Sequence, residues 1–233
     1  MSATSPKRAI TTLLFDFGGT LDSAGRHWST LFADAAAECG VEILQPTFDH
    51  AFLAADRALN AEPGTGALGL YDHVLRQTEL LLTELKQADP GLAMRVAARF
   101  VEDALVHLDR SRLLLARERP ARRIGVISNF TPNLPRIVRD VGLAPYVDVL
   151  ACSDILGLRK PGHDIFHWTL TTLGVAARDC AMIGDSLTND VMPAKTLGMT
   201  TVWLRGDRVF GKGDPSAADH TVSTLAEALA ALS

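Results

Sequence analysis

Leu13-Leu14-Phe15-Asp16-Phe17-Gly18-Gly19-Thr20-Leu21-Asp22 is the stretch around which the rest of the chain arranges itself. An apolar run beginning at Thr12 ends abruptly in a carboxylate, two glycines and a threonine. Apolar residues at consecutive positions suit a strand buried on both faces, as in a parallel sheet. Parallel sheets place ligands beyond the carboxyl ends of their strands. Asp16 falls at that end. Gly18 and Gly19 carry no Cβ, so the backbone there can turn sharply and approach another molecule closely. Such a turn suits an exposed, nucleophilic carboxylate. It equally suits an ordinary strand followed by a Gly-Gly turn, and the remainder of the chain has to decide between them.

Downstream, residues 23–119 read as almost wholly helical. Leu31, Phe32, Ala35, Ala36 and Cys39 recur at helical spacing, as do Phe48, Ala51, Phe52, Ala55 and Leu59. Tyr71, Val74, Leu75, Leu81, Leu82 and Leu85 mark a third helix, and Ala93 to Leu108 a fourth. Gly40, Pro46, the glycines of 62–66 and Asp89-Pro90-Gly91 punctuate them. Four helices with short connections predict a small bundle. From Arg123 onward strands alternate with helices. Strands are expected at 124–127, 147–152, 180–183 and 200–204, and helices at 134–141, 164–173 and 189–197. That alternation predicts βαβ units and a parallel sheet. The first strand must join this sheet, because one strand cannot form a core alone. The expected fold class is therefore α/β, a Rossmann-like parallel sheet with helices on both faces. Residues 1–22 and 120–233 would form this core, and residues 23–119 an inserted four-helix cap. The two crossings, near 23–28 and 109–120, would act as hinges.

The composition fits this picture. At 233 residues, 47% hydrophobic and 21% charged, the chain has enough material for one sizeable core with a smaller companion. A net charge of -4 argues against a general nucleic-acid binder, with Arg123, Arg136, Arg139, Arg159 and Lys160 the material for any local basic patch. Residues 1–10 hold two basic residues but no apolar stretch, unlike a secretory signal. No run reaches the roughly 18 apolar residues that a membrane helix needs. Cys39, Cys152 and Cys180 are far apart and odd in number, as expected for reduced thiols in a cytoplasmic protein. A monomer or homodimer is expected, with neither nucleic acid nor membrane as partner.

Polar residues gather just past the expected strands. Ser128-Asn129-Phe130-Thr131 follows the second, and Ser153 the third, with Arg159-Lys160-Pro161-Gly162 a little beyond it. Gly184-Asp185-Ser186-Leu187-Thr188-Asn189-Asp190 follows the fourth. With Asp16 they bring two or three carboxylates, a hydroxyl and one lysine to a single sheet edge. Asp16 and Asp185 supply hard oxygen ligands that suit Mg²⁺. A phosphoryl group brings about two negative charges of its own. Mg²⁺ and the Lys160 ammonium would offset that charge, and Ser128 with backbone N–H groups would hold the phosphoryl oxygens. Asp16 would then attack phosphorus in line and form an aspartyl-phosphate.

On these four motifs, in this order and each after an expected strand, the chain resembles the haloacid dehalogenase superfamily over essentially its whole length. It is similar to the branch whose helical cap is inserted after the first motif. The resemblance implies that Asp16 is the nucleophile and a metal ligand. It implies that Gly18 offers its backbone carbonyl to the metal, that Asp185 is the third protein ligand, and that Asp190 is a direct or more distant partner of the metal. Ser128 and Lys160 would bind the transferred group, Lys160 also restraining Asp16. Gly19, Thr20 and Asn129 complete the expected substrate contacts. The implied activity is Mg²⁺-dependent hydrolysis of a small phosphorylated metabolite.

One position departs from that pattern. Phosphatases of the superfamily have a second aspartate two residues after the nucleophile, which protonates the leaving group and later activates water. Here it is Gly18. General acid–base help is typically worth about 10²–10⁴-fold. A chain without it would take substrates with good leaving groups, recruit another acid (Asp22 and His27 are nearest in sequence), or have given up rapid turnover. Some sugar-phosphate phosphatases resemble this chain in having glycine there. Dehalogenases of the superfamily use no metal and usually lack the acids of the fourth motif, which this chain keeps as Asp185 and Asp190. Phosphonoacetaldehyde hydrolases need a lysine near the start of the cap, and this cap has only Lys86. The phosphatase reading leads. A binding protein for a phosphorylated ligand or partner is its alternative, and a metal-independent dehalogenase stands behind both.

Other signals carry less. Gly64-Thr65-Gly66-Ala67-Leu68-Gly69 matches the dinucleotide fingerprint but follows a helix rather than a strand, so a cap loop is expected. His163 and His167 have zinc-like spacing but no evident third ligand, and a helix start with one half-buried histidine is expected. Arg205-Gly206-Asp207 lies in a polar connection spanning 205–218. His27 and Trp28 stand where the cap begins, either packing the hinge or touching the leaving group.

Overall fold

The computed structural model describes residues 9–206 and 213–233. Most of the N-terminal stretch read against a secretory signal, and 207–212 of the polar connection, lie outside the described residues.

Six parallel strands form one sheet: β1 (Thr12–Phe15), β2 (Arg123–Ser128), β3 (Val149–Cys152), β4 (Cys180–Gly184), β5 (Thr200–Leu204) and β6 (His220–Val222). The order is β3-β2-β1-β4-β5-β6, so β1 is central, with Phe15 level with Val126 on one side and Ile183 on the other. From β1 the chain winds one way through β2 and β3, then returns to wind the other way through β4 to β6. The crevice beyond the ends of β1 and β4 is therefore the topological switch point where such sheets bind ligands. All four residues of β1 and all five of β4 are buried, which accounts for their uninterrupted apolar sequences.

Four helices separate β1 from β2: α1 (Trp28–Glu38), α2 (Gln45–Ala61), α3 (Leu70–Glu84) and α4 (Pro90–Glu118). Asp89-Pro90-Gly91 opens α4 rather than merely separating helices. The Asp89 carboxylate accepts from the N–H groups of Gly91 and Leu92, and Pro90 sits at the first helical position. The crossing at 109–120, expected to act as a hinge, is mostly helix. α4 runs through to Glu118, buries Leu108 and Leu115, and donates from Ser111 Oγ to the Leu21 carbonyl at 2.6 Å. A helix bound along its length does not bend like a loop, so of the two crossings the one at 23–28 has the freer backbone.

After β2 come α5 (Leu134–Asp140), α6 (Ser153–Leu156), α7 (His163–Leu173), α8 (Met192–Thr196) and α9 (Leu225–Ala231). The helix expected at 189–197 is divided: one wide π-type turn, Leu187–Val191, precedes α8. β6, α6 and α9 are short elements that the sequence pattern did not announce. One face of the sheet packs on α7 and α8 through Leu14, Ile127, Ile165, Phe166, Met182 and Ala194. The other face, through Leu13, Phe15 and Ile183, shares a continuous core with the helical insertion, linked by Phe17, Leu21, Trp28 and Phe100.

Candidate active site

Asp16 is the first residue past β1, and its N–H is tied to the Ile183 carbonyl of β4 at 3.0 Å. Its Oδ1 accepts from Phe17 N at 2.7 Å and from Lys160 Nζ at 2.8 Å. Its Oδ2 has no partner among the described residues, and the side chain lines a cavity of about 250 Å³ between the sheet edge and the insertion. Lys160 is buried and also donates to Asp190 Oδ1 at 2.6 Å. Burial alone would lower its pKa, but the carboxylates of Asp16 and Asp190 outweigh that and raise it, so the ammonium stays charged. Asn129 clamps this lysine by its backbone: its Nδ2 donates to the Lys160 carbonyl and its Oδ1 accepts from Lys160 N, both at 2.9 Å. Ser128, at the end of β2, lines the cavity, and its Oγ has no hydrogen-bond partner among the described residues.

Carboxylate oxygens of Asp16, Asp185 and Asp190 lie within 4.8 Å of one another. Burial, and then the charges of Asp16 and Asp190, raise the Asp185 pKa well above the usual carboxylate range. Burial likewise raises Asp190, against the opposing pull of Lys160. Three carboxylates facing one ammonium are short of positive charge, and their hard oxygen donors fit a dication such as Mg²⁺. The three are not equivalent. Asp190 is fully buried, with Oδ1 on Lys160 and Oδ2 accepting from Ser186 N at 3.1 Å. Asp16 and Asp185 line the cavity, as does Gly18, whose carbonyl the resemblance assigns to the metal.

Gly19 and Thr20 do not line the cavity. The Gly19 N–H is taken by Asp22 Oδ1 at 2.7 Å, and its φ of +88° with a Cβ position 2.5 Å from Asp185 Oδ2 admits only glycine. Thr20 is buried and its Oγ1 points to Asp185 Oδ1 at 3.5 Å. Both support Asp185 from behind.

At Gly18 the missing aspartate has a structural counterpart. A Cβ built there would meet Trp28 Nε1 at 3.2 Å and Trp28 Cδ1 at 3.4 Å. The indole crowds the first carbon such a side chain would need, and its Nε1 donates to Asp22 Oδ2 at 2.6 Å. Asp22, nominated as a replacement acid, is fully buried behind Trp28 and does not reach the cavity, and burial raises its pKa to about 7. His27, the other nominee, does line the cavity. Its Nδ1 accepts from Ser29 N at 3.2 Å at the start of α1, and burial lowers its pKa to about 4.

The cavity has further walls that the motifs did not point to. From α2 come Phe52, Leu53, Asp56 and Asn60, from α3 His73, and from the core Phe130, Thr131 and Arg159. Phe52, Asp56 and Asn60 are spaced four apart, a helical face visible in the sequence only once its partner is known. His73 lies on the buried face of α3, which also carries Gln77 and Thr78, a polar residue at a core position. Burial raises the pKa of Asp56, with Arg159 nearby opposing.

The remaining sequence signals resolve simply. The Gly64-to-Gly69 loop docks on the core: Asn133 Nδ2 donates to the Leu68 carbonyl at 3.1 Å and Arg136 donates to the Ala67 carbonyl. His163 and His167 are both exposed, with rings 6.5 Å apart, so the half-buried histidine expected there is absent. Of the basic residues considered above, Lys160 is buried in the site and Arg136 pairs with Asp140. Among the described residues no helix is long and apolar enough to cross a membrane.

Residues 10–198 match the model of a protein family described as haloacid dehalogenase-like hydrolase. A glyceraldehyde 3-phosphate phosphatase of Methanocaldococcus jannaschii is 32% identical over 37% of this chain and 38% of its own length, so the match spans well under half of that protein. A phosphoserine phosphatase of Thermus thermophilus is 28% identical over 76% of this chain and 73% of its own. Among solved structures, a putative hydrolase of the same family from Bacillus subtilis, bound to magnesium, superposes with a TM-score of 0.60 at 21% identity, covering 97% of this chain and 99% of that one.

Proposed function

The chain belongs to the haloacid dehalogenase-like hydrolases, and from that premise we propose that it is a Mg²⁺-dependent phosphatase of a small phosphorylated metabolite, acting through an aspartyl-phosphate on Asp16. The observation that carries this reading is the cluster of Asp16, Asp185 and Asp190 around a single buried lysine at the sheet's switch point. Relatives named as phosphatases of glyceraldehyde 3-phosphate and phosphoserine support the substrate class.

Asp16, Asp185 and the Gly18 carbonyl would hold Mg²⁺, which supplies charge that offsets the phosphoryl group. Asp16 Oδ1 is pinned by Lys160 and Phe17 N, leaving Oδ2 as the attacking atom. Lys160 and Ser128 Oγ would bind the phosphoryl oxygens. Asp190 and Asn129 act on Lys160, one through its ammonium and the other through its backbone. The four inserted helices serve as the cap, covering the leaving group and excluding water. Water then hydrolyses the acyl phosphate.

The test is phosphate release from aryl, sugar, glycerol and acyl phosphates, with Mg²⁺ and with EDTA, beside Asp16→Asn. Metal-dependent release abolished in the variant is expected. Release that survives in Asp16→Asn would refute the covalent mechanism. The occupied space at Gly18 favours a second reading, a protein of this fold that binds a phosphorylated ligand with little turnover. It predicts thermal stabilisation by phosphate esters without product. Retention of all three carboxylates sets a metal-independent dehalogenase behind both, and halide release in EDTA would reinstate it.

A further inference from the structure

One polar ring in the helical insertion stands beside the position that Gly18 leaves without an acid. His73 of α3 is buried against Phe130 and against Trp28, the ring beside that glycine. Its ring stacks on Phe130 at a centroid distance of 5.2 Å and an interplanar angle of 23°, and meets the edge of Trp28 at 5.6 Å. Trp28 in turn stands over Gly18.

The protonation of this imidazole can be read from its neighbours. His73 Nδ1 lies 3.2 Å from Asn133 Nδ2 and 3.4 Å from Thr131 Oγ1. The orientation of Asn133 is set by chemistry, since the same Nδ2 lies 3.1 Å from the Leu68 carbonyl, which can only accept. On its other side Asn133 Oδ1 accepts from the Thr131 hydroxyl at 2.6 Å. The amide therefore presents an N–H to His73, Nδ1 is the acceptor, and the ring proton sits on Nε2. Nε2 has no hydrogen-bond partner among the described residues, and the ring lines the cavity it shares with Asp16 and Gly18. Burial lowers the His73 pKa to about 4, so near neutral pH this is an uncharged N–H donor.

We propose that His73 Nε2–H donates a hydrogen bond to the leaving-group oxygen of the substrate, so that the site turns over esters of weakly acidic alcohols without an aspartate at Gly18. The proposal rests on the phosphatase reading. As Asp16 Oδ2 bonds to phosphorus, the bond from phosphorus to the leaving oxygen breaks and its electron pair stays on that oxygen. The N–H holds the developing charge while a water gives the proton that completes the alcohol, the hydroxide left behind going on to hydrolyse the aspartyl-phosphate, and His73 keeps its own proton. A neutral imidazole acting in this way is established chemistry. Asn133 and Thr131 belong to the core and His73 to the insertion, so the donor is set in its tautomer where the two parts are packed together.

The test compares kcat/KM for glycerol 3-phosphate and p-nitrophenyl phosphate within each preparation, because their ratio does not depend on the folded fraction. His73→Phe keeps the ring stack and removes the donor, whereas His73→Gln keeps a neutral N–H. A hydrogen bond to a developing charge is worth enough that His73→Phe should lower the glycerol-to-nitrophenyl ratio by about 10-fold or more, with His73→Gln returning to within about threefold of the parent. An unchanged ratio in His73→Phe would overturn the proposal while leaving the phosphatase reading intact. Absence of phosphate release from either ester by the unaltered protein would overturn both.

Discussion

Restoring the second aspartate, by Gly18→Asp, is the obvious way to speed up a phosphatase that lacks it, and the structure says that the single change will fail. The new Cβ would stand 3.2 Å from Trp28 Nε1, on the flank of a rigid indole rather than the end of a flexible chain. Trp28 has little room to retreat, being buried among Phe32, His73, Phe100 and Phe130. Forcing extra atoms into such packing typically costs about 1–3 kcal/mol. Moving the indole also strains or breaks its 2.6 Å hydrogen bond to buried Asp22, at about 1–3 kcal/mol more. A total of about 2–6 kcal/mol in a chain of this size lowers the melting temperature by roughly 4–24 °C. The about 10²–10⁴-fold gain that a well-placed acid gives should not appear, because a side chain built on that crowded Cβ is displaced from the placement acid catalysis needs. Differential scanning fluorimetry and kcat/KM for glycerol 3-phosphate check both parts, with Gly18→Ala as the control that adds only the Cβ. A Gly18→Asp protein that melts like the parent and hydrolyses glycerol 3-phosphate a hundredfold faster, or more, would refute the reasoning, since it would mean that Trp28 does not fill the acid's place.

Three further outcomes follow from the same charges. Lys160→Met should destabilise by about 3–5 kcal/mol, because it leaves buried Asp16 and Asp190, with half-buried Asp185 beside them, without their cation. MgCl₂ should then raise its melting temperature more than it raises the parent's, and an equal effect on both would contradict the shortage of positive charge. Without metal, Asp190 titrates at a raised value of about 6 against 3.8 for the free side chain, and Asp185 is raised as well. Groups shifted in that direction contribute stability below about pH 4 that is lost as pH climbs through the raised values. Mg²⁺ should therefore stabilise the protein more at pH 7.5 than at pH 5, and melts at the two pH values with and without the ion decide it. His73 has the opposite sign: its folded pKa of about 4 lies below the free value of 6.5. Its neutral burial stabilises above pH 6.5 and that contribution is lost as pH falls toward 4, to the extent of about 3 kcal/mol. His73→Phe should gain on the parent by that amount between pH 7.5 and pH 4.5 in denaturant titrations, and a constant difference would refute it.

Much of the fold was legible because its signals are local. The unbroken apolar run before Asp16 and the one before Asp185 each report a strand buried on both faces, and the structure places them side by side. The four inserted helices announced themselves through apolar residues three and four apart. What stayed hidden depended on partners distant in the chain. β6 and α9 are short and half-exposed, so their periodicity is weak. The crossing at 109–120 is mostly helical because Ser111 and Leu115 are held against the core, which no window of sequence around them discloses. In the site, Asp16, Ser128, Lys160 and Asp185 stand where a strand-end reading puts them. Gly19 and Thr20 are near in sequence yet turned behind Asp185, because a tight turn points successive residues in different directions.

Gly18 and Trp28 show why the cavity itself was harder to read. Ten positions apart, each has an unremarkable explanation alone, a turn glycine and a hinge aromatic. Together they are one feature: the indole fits over the backbone because no Cβ stands there, and its N–H is satisfied by Asp22. The aspartate at the fourth position of that turn, Gly19 to Asp22, thereby serves the tryptophan and not the substrate. An indole over Gly18 crowds the second aspartate's place, so on the phosphatase reading help for the leaving group falls to the wall of the cavity beside it. That wall is built by α2 and α3, and His73 is the member of it whose N–H is oriented by Asn133 and whose ring packs against Trp28 itself. On the proposal that His73 assists the leaving group, the inserted helices would contribute to the chemistry as well as to substrate choice.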